Sequence, residues 1–168
     1  MTKLTAPLQL DQQIIINATP EKVWTVFNDQ SLLTKWTQDV QYSQFEQKMA
    51  APGQLRKNEC IVNGKKGTIE TRCVSMTGQE RAEFIVEKDT FGMTKMLQNM
   101  SFAAEFHSLD SNKTKFVMKS HYKPKNFLLN LMNGFIKKKM GKEVDIMLIG
   151  LKNYIEKGAV NKLNPINQ

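Results

Sequence analysis

The stretch from residue 14 to residue 24, IIINATPEKVW, decides the fold because it passes from a strand pattern to a helix start within one short segment. The isoleucines form an apolar run at the end of residues 9–16, a segment that predicts a first strand. Thr19 is a preferred helix N-cap, Pro20 suits the first helical position, and Glu21 favours the positive end of the helix dipole. The segment therefore predicts a strand that leads directly into a helix.

Two short helices are expected after this strand. Val23 and Phe27 give the first helix an apolar stripe. Leu33 and Trp36 recur at helical spacing and predict a second short helix over residues 31–36.

From about residue 40 the hydrophobic period changes from helical to two, which is typical of strands. Six strands are predicted, over about residues 40–45, 55–62, 68–76, 81–88, 96–107 and 115–122. Apolar and polar residues alternate most clearly in the last three. This alternation predicts an antiparallel sheet with one buried face and one face in water.

A turn at Asn63-Gly64 sets the pairing of two of these strands. Asn-Gly is the stronger two-residue turn signal, and it places Cys60 opposite Gly67. A turn at Lys66-Gly67 would instead place Cys60 opposite Cys73. The Asn-Gly register is favoured, so two free thiols and a reducing compartment are expected.

After Pro124 the period returns to helical and continues to about Lys157. Gly134 and Gly141 weaken this helix, and a kink or break is expected near Gly141. One long amphipathic helix has one sheet to pack against, and a sheet of about seven strands must curl around it.

These elements predict one α+β domain. A curved antiparallel sheet of about seven strands wraps around a long C-terminal helix, and two short helices follow the first strand. The domain spans residues 1–168, with a core over about 8–158 and a loose tail over 159–168.

The composition fits a globular domain, with 168 residues, 40% apolar and 24% charged. No run of about 18 apolar residues is present, which excludes a transmembrane helix. Residues 1–10 lack the apolar core of a secretory signal. A cytoplasmic location is therefore expected.

The net charge of +8 is unevenly distributed. Residues 1–112 carry 12 Lys and Arg against 13 Asp and Glu, whereas residues 113–168 carry 12 Lys against 3 acidic residues. Specific readout of nucleic acid relies on arginine contacts to guanine, and no arginine follows Arg81. No specific nucleic-acid partner is expected. A lysine field attracts polyanions in general, including anionic lipids.

Three stretches resemble a known superfamily. They are the strand-to-helix segment 16–24, the Asp29, Leu33 and Trp36 spacing, and the GLKNYIE of residues 150–156. Together with the element order, they are similar to the START-like or SRPBCC superfamily, which includes the birch-pollen-allergen fold. The polyketide cyclase/dehydrase-like branch is the most similar.

The resemblance implies a helix-grip fold with an internal hydrophobic cavity between the sheet and the C-terminal helix. Members bind lipids, sterols, polyketides or hormones, and a few catalyse cyclisation or dehydration. The leading hypothesis is a protein that binds a hydrophobic small molecule. The alternatives are a cyclase/dehydratase-type enzyme acting on such a ligand, and a co-chaperone or other protein-interaction module.

The candidate ligand-binding residues are the inward positions of the last three strands and the facing positions of the long helix. They are Phe84, Val86, Met100, Phe102, Ala104, Phe106, Met118, Tyr122, Phe135, Met147, Leu148 and Leu151. A plainly filled core is the competing interpretation, and methionine, which adapts to irregular spaces, suits either.

Three polar residues are weak candidates for catalysis. Tyr122 is predicted to face inward and to offer its hydroxyl. Glu70 and Arg72 share one strand face, so either both charges enter the cavity or both are solvated. In the first case Glu70 would be a candidate general acid, with a pKa set by burial against pairing with Arg72.

The sequence supports neither a metal site nor a cofactor. His107 and His121 are the only histidines, and no cluster has metal-ligand spacing. The apolar stretch 127–136 precedes Lys137, Lys138 and Lys139. This combination suits weak contact with an anionic membrane surface, although the apolar residues are equally suited to cap the cavity.

Overall fold

A computed structural model describes residues 5–158 of the chain. Seven strands form one antiparallel sheet in the order β1-β7-β6-β5-β4-β3-β2. The strands are β1 (Leu8–Ile16), β2 (Val40–Phe45), β3 (Leu55–Val62), β4 (Lys65–Thr77), β5 (Arg81–Asp89), β6 (Leu97–Asp110) and β7 (Lys113–Pro124). The helices are α1 (Pro20–Asn28), α2 (Leu33–Trp36), α3 (Met93–Met96), α4 (Phe127–Leu131) and α5 (Asn133–Lys157), with a 3-10 turn over Gln30–Leu32. The predicted helix-grip architecture is confirmed; the predicted tail, 159–168, lies outside the described residues.

The junction between β1 and α1 forms as its residues predict. The Oγ1 atom of Thr19 accepts a hydrogen bond from the backbone N–H of Lys22 at 3.2 Å. Pro20 occupies the first turn, where its missing N–H has no cost. Side chains of α1, including Val23 and Phe27, are buried against the sheet.

The Asn63-Gly64 turn is also confirmed. Val62 pairs with Lys65 and Cys60 with Gly67, which is the register that this turn dictates. Asn63 and Gly64 both have positive φ, as the tight hairpin requires. Both cysteines are free thiols.

The C-terminal helix departs from the sequence expectation. The break lies at Met132, between α5 and the separate short helix α4, whose N-cap Asn126 accepts a hydrogen bond from the N–H of Leu129. Helix α5 continues through Gly141 without interruption, so the expected break there is wrong. Gly141 lies beside β1, and its carbonyl oxygen accepts a hydrogen bond from Gln12 at 2.9 Å.

The outer face of the sheet is not uniformly wet. Ala103 and Glu105 are buried there. The Glu105 carboxylate pairs with Arg81 and with Lys119, whose ion-pair distance is 3.0 Å. The long aliphatic stems of these cations cover the strands beneath them.

The inner face packs in two clusters. The larger one joins α1, α2 and α5 to the middle of the sheet through Phe27, Phe84 and Leu151, among others. The smaller one surrounds Tyr122, near the start of α5. Across residues 5–158, no helix combines the length and apolarity needed to cross a bilayer.

Candidate ligand-binding cavity

A cavity of about 190 Å³ lies between the sheet, the short helices and α5. Its walls come from α1 and α2, from β3, β6 and β7, and from α5. The lining residues are Phe27, Leu33, Trp36, Arg56, Ser101, Phe102, Met118, Ser120, His121, Met140, Val144 and Met147. Most of these side chains are apolar, so the cavity favours a hydrophobic ligand.

The cavity occupies only part of the predicted site. Phe102, Met118 and Met147 line it. The other predicted positions on the inner face belong to the two packed clusters: Phe84, Ala104, Phe106, Leu148 and Leu151 to the larger, and Val86, Met100 and Tyr122 to the smaller. Their part in ligand binding stays a prediction.

Aromatic packing explains why the space above the inner face of the sheet is largely filled. Phe27 of α1 inserts among the strand aromatics, with ring centroids 5.6 Å from Phe106 and 5.2 Å from Phe116. Phe84 stacks on Phe102 at 5.0 Å. These contacts consume space that the strand pattern alone leaves open.

The expected inward orientation of Phe135 is wrong, because its side chain is 65% exposed. Asn133, Ile136 and Met140 share the i, i+3, i+7 face of α5 that turns towards Tyr122. Phe135 lies on the opposite side of the helix.

Arg56 is the charged residue among the cavity-lining residues that were not predicted from the sequence. It lies on β3, directly opposite Thr71 of β4, and both side chains turn to the inner face. Arg56 as a whole is half-buried, but its Nε atom is buried and has no hydrogen-bond partner. Burial lowers the pKa of the Arg56 guanidinium to about 10, so it remains charged at neutral pH. The sequence signal that could have found it is the alternation of β3: Arg56 lies on the same strand face as Asn58 and Cys60, whereas Lys57 and Glu59 lie on the other face.

A family model described as "Polyketide cyclase / dehydrase and lipid transport" matches residues 7–156. The chain belongs to this family. No functionally curated protein matches its sequence.

Solved structures share the helix-grip fold of this chain. A START superfamily protein from Mycobacterium smegmatis has a TM-score of 0.72 at 9% identity, covering 91% of this chain and 100% of that one. The Zhui aromatase/cyclase from Streptomyces sp. R1128 has a TM-score of 0.69 at 12% identity, with 88% and 92% covered. Truncated norcoclaurine synthase from Thalictrum flavum has a TM-score of 0.69 at 8% identity, with 94% and 99% covered. At these identities the likeness shows the fold alone.

In this polyketide cyclase/dehydrase-like domain, Tyr122 has a structural partner. Its hydroxyl donates to Oδ1 of Asn133 at 3.0 Å, and Nδ2 of Asn133 donates to Oε1 of Gln9. Nε2 of Gln9 in turn donates to the backbone oxygen of Tyr122. Burial raises the pKa of the Tyr122 hydroxyl. The network holds the start of α5 against β1 and β7.

Glu70 and Arg72 occupy the outer face of β4, because the alternate residues Thr71 and Cys73 are buried. Arg72 forms a two-point ion pair with Glu87, and its Nη1 donates to the carbonyl oxygen of Gly53 at 2.7 Å. Glu70 lies 3.9 Å from Lys57. Of the two alternatives for Glu70 and Arg72, the structure therefore agrees with the one in which both charges face water. It does not bring them together with Tyr122.

The buried thiols of Cys60 and Cys73 are expected to be unreactive. Burial raises the pKa of Cys60 and of Cys73 to about 11, which keeps both protonated at neutral pH. Within residues 5–158, no three His, Cys, Asp or Glu side chains are grouped to hold a metal ion.

Proposed function

We propose that the protein binds a small hydrophobic molecule in the cavity beneath α5, and that it does so in the cytoplasm. The observation that carries this proposal is an apolar cavity whose walls include Phe102, Met118 and Met147. The free, buried thiols fit a reducing compartment. The family supports the same class of ligand.

The volume limits the size of the ligand. About 190 Å³ is below the roughly 300–1,000 Å³ of pockets that hold drug-sized molecules. Three of the lining residues, Met118, Met140 and Met147, are methionines, whose unbranched side chains change rotamer easily. The cavity therefore suits one or two fused rings, or a short chain, and enlarges by movement of these methionines.

Native mass spectrometry of the gently purified protein, followed by solvent extraction, tests this proposal. The expected result is a reproducible added mass that disappears on denaturation. Val144→Trp fills the cavity from α5 and removes the added mass, whereas Ile149→Trp, on the exposed side of the same helix, retains it. An added mass that survives Val144→Trp contradicts the location. A protein that retains no molecule and binds no hydrophobic probe contradicts the function.

We further infer that the end of the fold around α4 contacts an anionic membrane surface. Phe127, Leu128, Leu131 and Phe135 are large apolar side chains exposed to water, and Phe127 is 83% exposed. No aspartate or glutamate occurs between Asp110 and Glu143 in the sequence. Lys137, Lys138 and Lys139 follow the apolar residues directly, and each lysine near an anionic surface contributes about 1 kcal/mol.

Vesicle sedimentation tests this surface. Vesicles with phosphatidylglycerol should bind the protein, and vesicles of phosphatidylcholine alone should bind it weakly. Phe127→Ser and Lys138→Glu should each reduce binding, while Lys65→Glu at the hairpin tip should leave it unchanged. Binding that ignores lipid charge, or that depends equally on Lys65, contradicts this assignment.

A further inference from the structure

Arg56 is a cation without a counter-ion in an apolar cavity. The chain has three arginines, and the other two are paired on the outer face: Arg72 with Glu87, and Arg81 with Glu83 and Glu105. Within residues 5–158, no carboxylate forms an ion pair with Arg56, and its buried Nε atom has no hydrogen-bond partner. Removing part of a charged group from water is costly unless the charge is paired, so an anion is the ligand group that would stabilise this site.

Two further polar atoms near Arg56 are buried and unpartnered. Trp36 lines the same cavity, and its Nε1 atom has no hydrogen-bond acceptor. Thr71 lies directly across the β3–β4 ladder from Arg56, and its Oγ1 atom is also unpartnered. The indole and guanidinium nitrogens donate only, and the hydroxyl can donate. Arg56 and Trp36 therefore offer unpaired donors to the same cavity, and the group that suits such donors is a hydrogen-bond acceptor.

The guanidinium lies over an aromatic ring. Its central carbon lies 5.8 Å from the centroid of Phe84, within the range of a cation–π contact. Phe84 in turn stacks on Phe102, which forms part of the cavity wall. The nearby thiols of Cys60 and Cys73 stay protonated and do not neutralise Arg56.

We propose that the ligand is a hydrophobic carboxylic acid whose carboxylate binds Arg56 and whose apolar body fills the space under α5. A planar guanidinium matches a carboxylate through two parallel hydrogen bonds, which gives both strength and orientation. The remaining walls, including Met118 and Met147, take the apolar part. The inference rests on the proposed function and names the chemical class of its ligand.

Isothermal titration calorimetry with two matched probes tests the inference at neutral pH. 2-Naphthoate carries the carboxylate, and 2-naphthalenemethanol has the same rings with a neutral group. The wild-type protein should bind the acid at least about tenfold more tightly, as expected for hydrogen bonds to charged groups. Arg56→Met should abolish this preference and leave the affinity for the alcohol within about twofold, because methionine keeps an unbranched apolar side chain and removes the charge. Arg72→Met, on the outer face, is the matched control and should keep the preference.

Thermal unfolding of the ligand-free variants provides an independent readout. Removing an unpaired, desolvated charge should raise the midpoint for Arg56→Met, since functional groups are often retained at the expense of stability. A lower midpoint would show that Arg56 supports the fold instead, and would overturn the inference.

The outcomes separate this inference from the broader function. If both probes bind equally and Arg56→Met changes neither affinity, the carboxylate assignment fails while binding in the cavity stands. If neither probe binds and native mass spectrometry finds no retained molecule, both fail.

Discussion

The carbonyl oxygen of Trp36 lies directly against Gly150 of α5, in the space that a β-carbon at that position would occupy. The backbones of α2 and α5 therefore meet without an intervening side chain. Since Trp36 also lines the cavity, this contact fixes one wall of the cavity relative to the long helix.

Gly150→Ala should destabilise the protein. The added methyl group forces α5 away from α2, and overpacking of this kind costs about 1–3 kcal/mol in the free energy of unfolding. Gly134→Ala is the matched control, because it lies in the same helix with nothing within 4 Å of the added atom. There alanine should stabilise by about 0.5–1 kcal/mol through helix propensity. Urea unfolding of both variants measures the contrast, and equal effects would contradict this account.

Tyr122→Phe should lower the stability of the protein and have little effect on its affinity for a ligand. The variant removes the hydrogen bond to Asn133, which is worth about 1 kcal/mol, and leaves the cavity wall intact. Tyr42→Phe, an exposed position on β2, should be neutral in urea unfolding. Loss of ligand binding or of turnover in Tyr122→Phe, with stability unchanged, would assign Tyr122 to the site rather than to the scaffold.

Glu143→Gln should stabilise the protein at neutral pH and not at low pH. Burial raises the pKa of Glu143 and that of Asp39, and the proximity of the two carboxyls raises the pKa of Glu143 further, against the opposing charges of Lys139 and Lys142. Because the pKa values of Asp39 and Glu143 are raised, both carboxyls are protonated more readily in the folded protein than in the unfolded chain. The stability that this protonation provides is present in full below the ordinary pKa values of 3.8 and 4.5, and it is lost as the pH rises above them. The gain at pH 7 should be up to about 1 kcal/mol, since the site is largely solvated.

Unfolding of Glu143→Gln and the wild type between pH 3 and pH 8 measures this effect. Glu59→Gln, at an exposed position of β3, serves as the control. A gain that is the same at every pH would show that ionisation of the pair is not its cause.

Cys60 and Cys73 should resist thiol reagents in the folded protein. Both side chains are buried, and burial raises the pKa of each thiol to about 11, so little thiolate is present at pH 8. In 6 M guanidinium chloride both should react at the rate of a free thiol. Rapid labelling of either cysteine without denaturant would indicate a local opening of the β3–β4 hairpin.

The sequence predicts the fold well because the decisive signals are local. Thr19 caps its helix with its own side chain, and Asn63-Gly64 sets its hairpin through its own backbone angles. The break before α5 depends instead on a contact distant in sequence. Asn133 reaches Tyr122 and Gln9, and no periodic pattern encodes that meeting.

The site is harder to predict than the fold. The alternation of apolar and polar residues in β5, β6 and β7 shows which face of the sheet is buried, but it does not show which side chains pack against that face. Phe27 fills much of the space above these strands, and the remaining cavity extends to β3 and Arg56. A charged residue on an inner face looks like an exception to the pattern, and such exceptions are expected at functional sites.

The position of Trp36 has a practical consequence. The chain contains two tryptophans, and they lie in different surroundings. Trp36 forms part of the cavity wall, while Trp24 is packed edge-on against Phe106 at 5.1 Å, away from the cavity. The intrinsic fluorescence of this protein therefore contains one emitter that reports occupancy and one that serves as an internal reference, so ligands can be screened without any label.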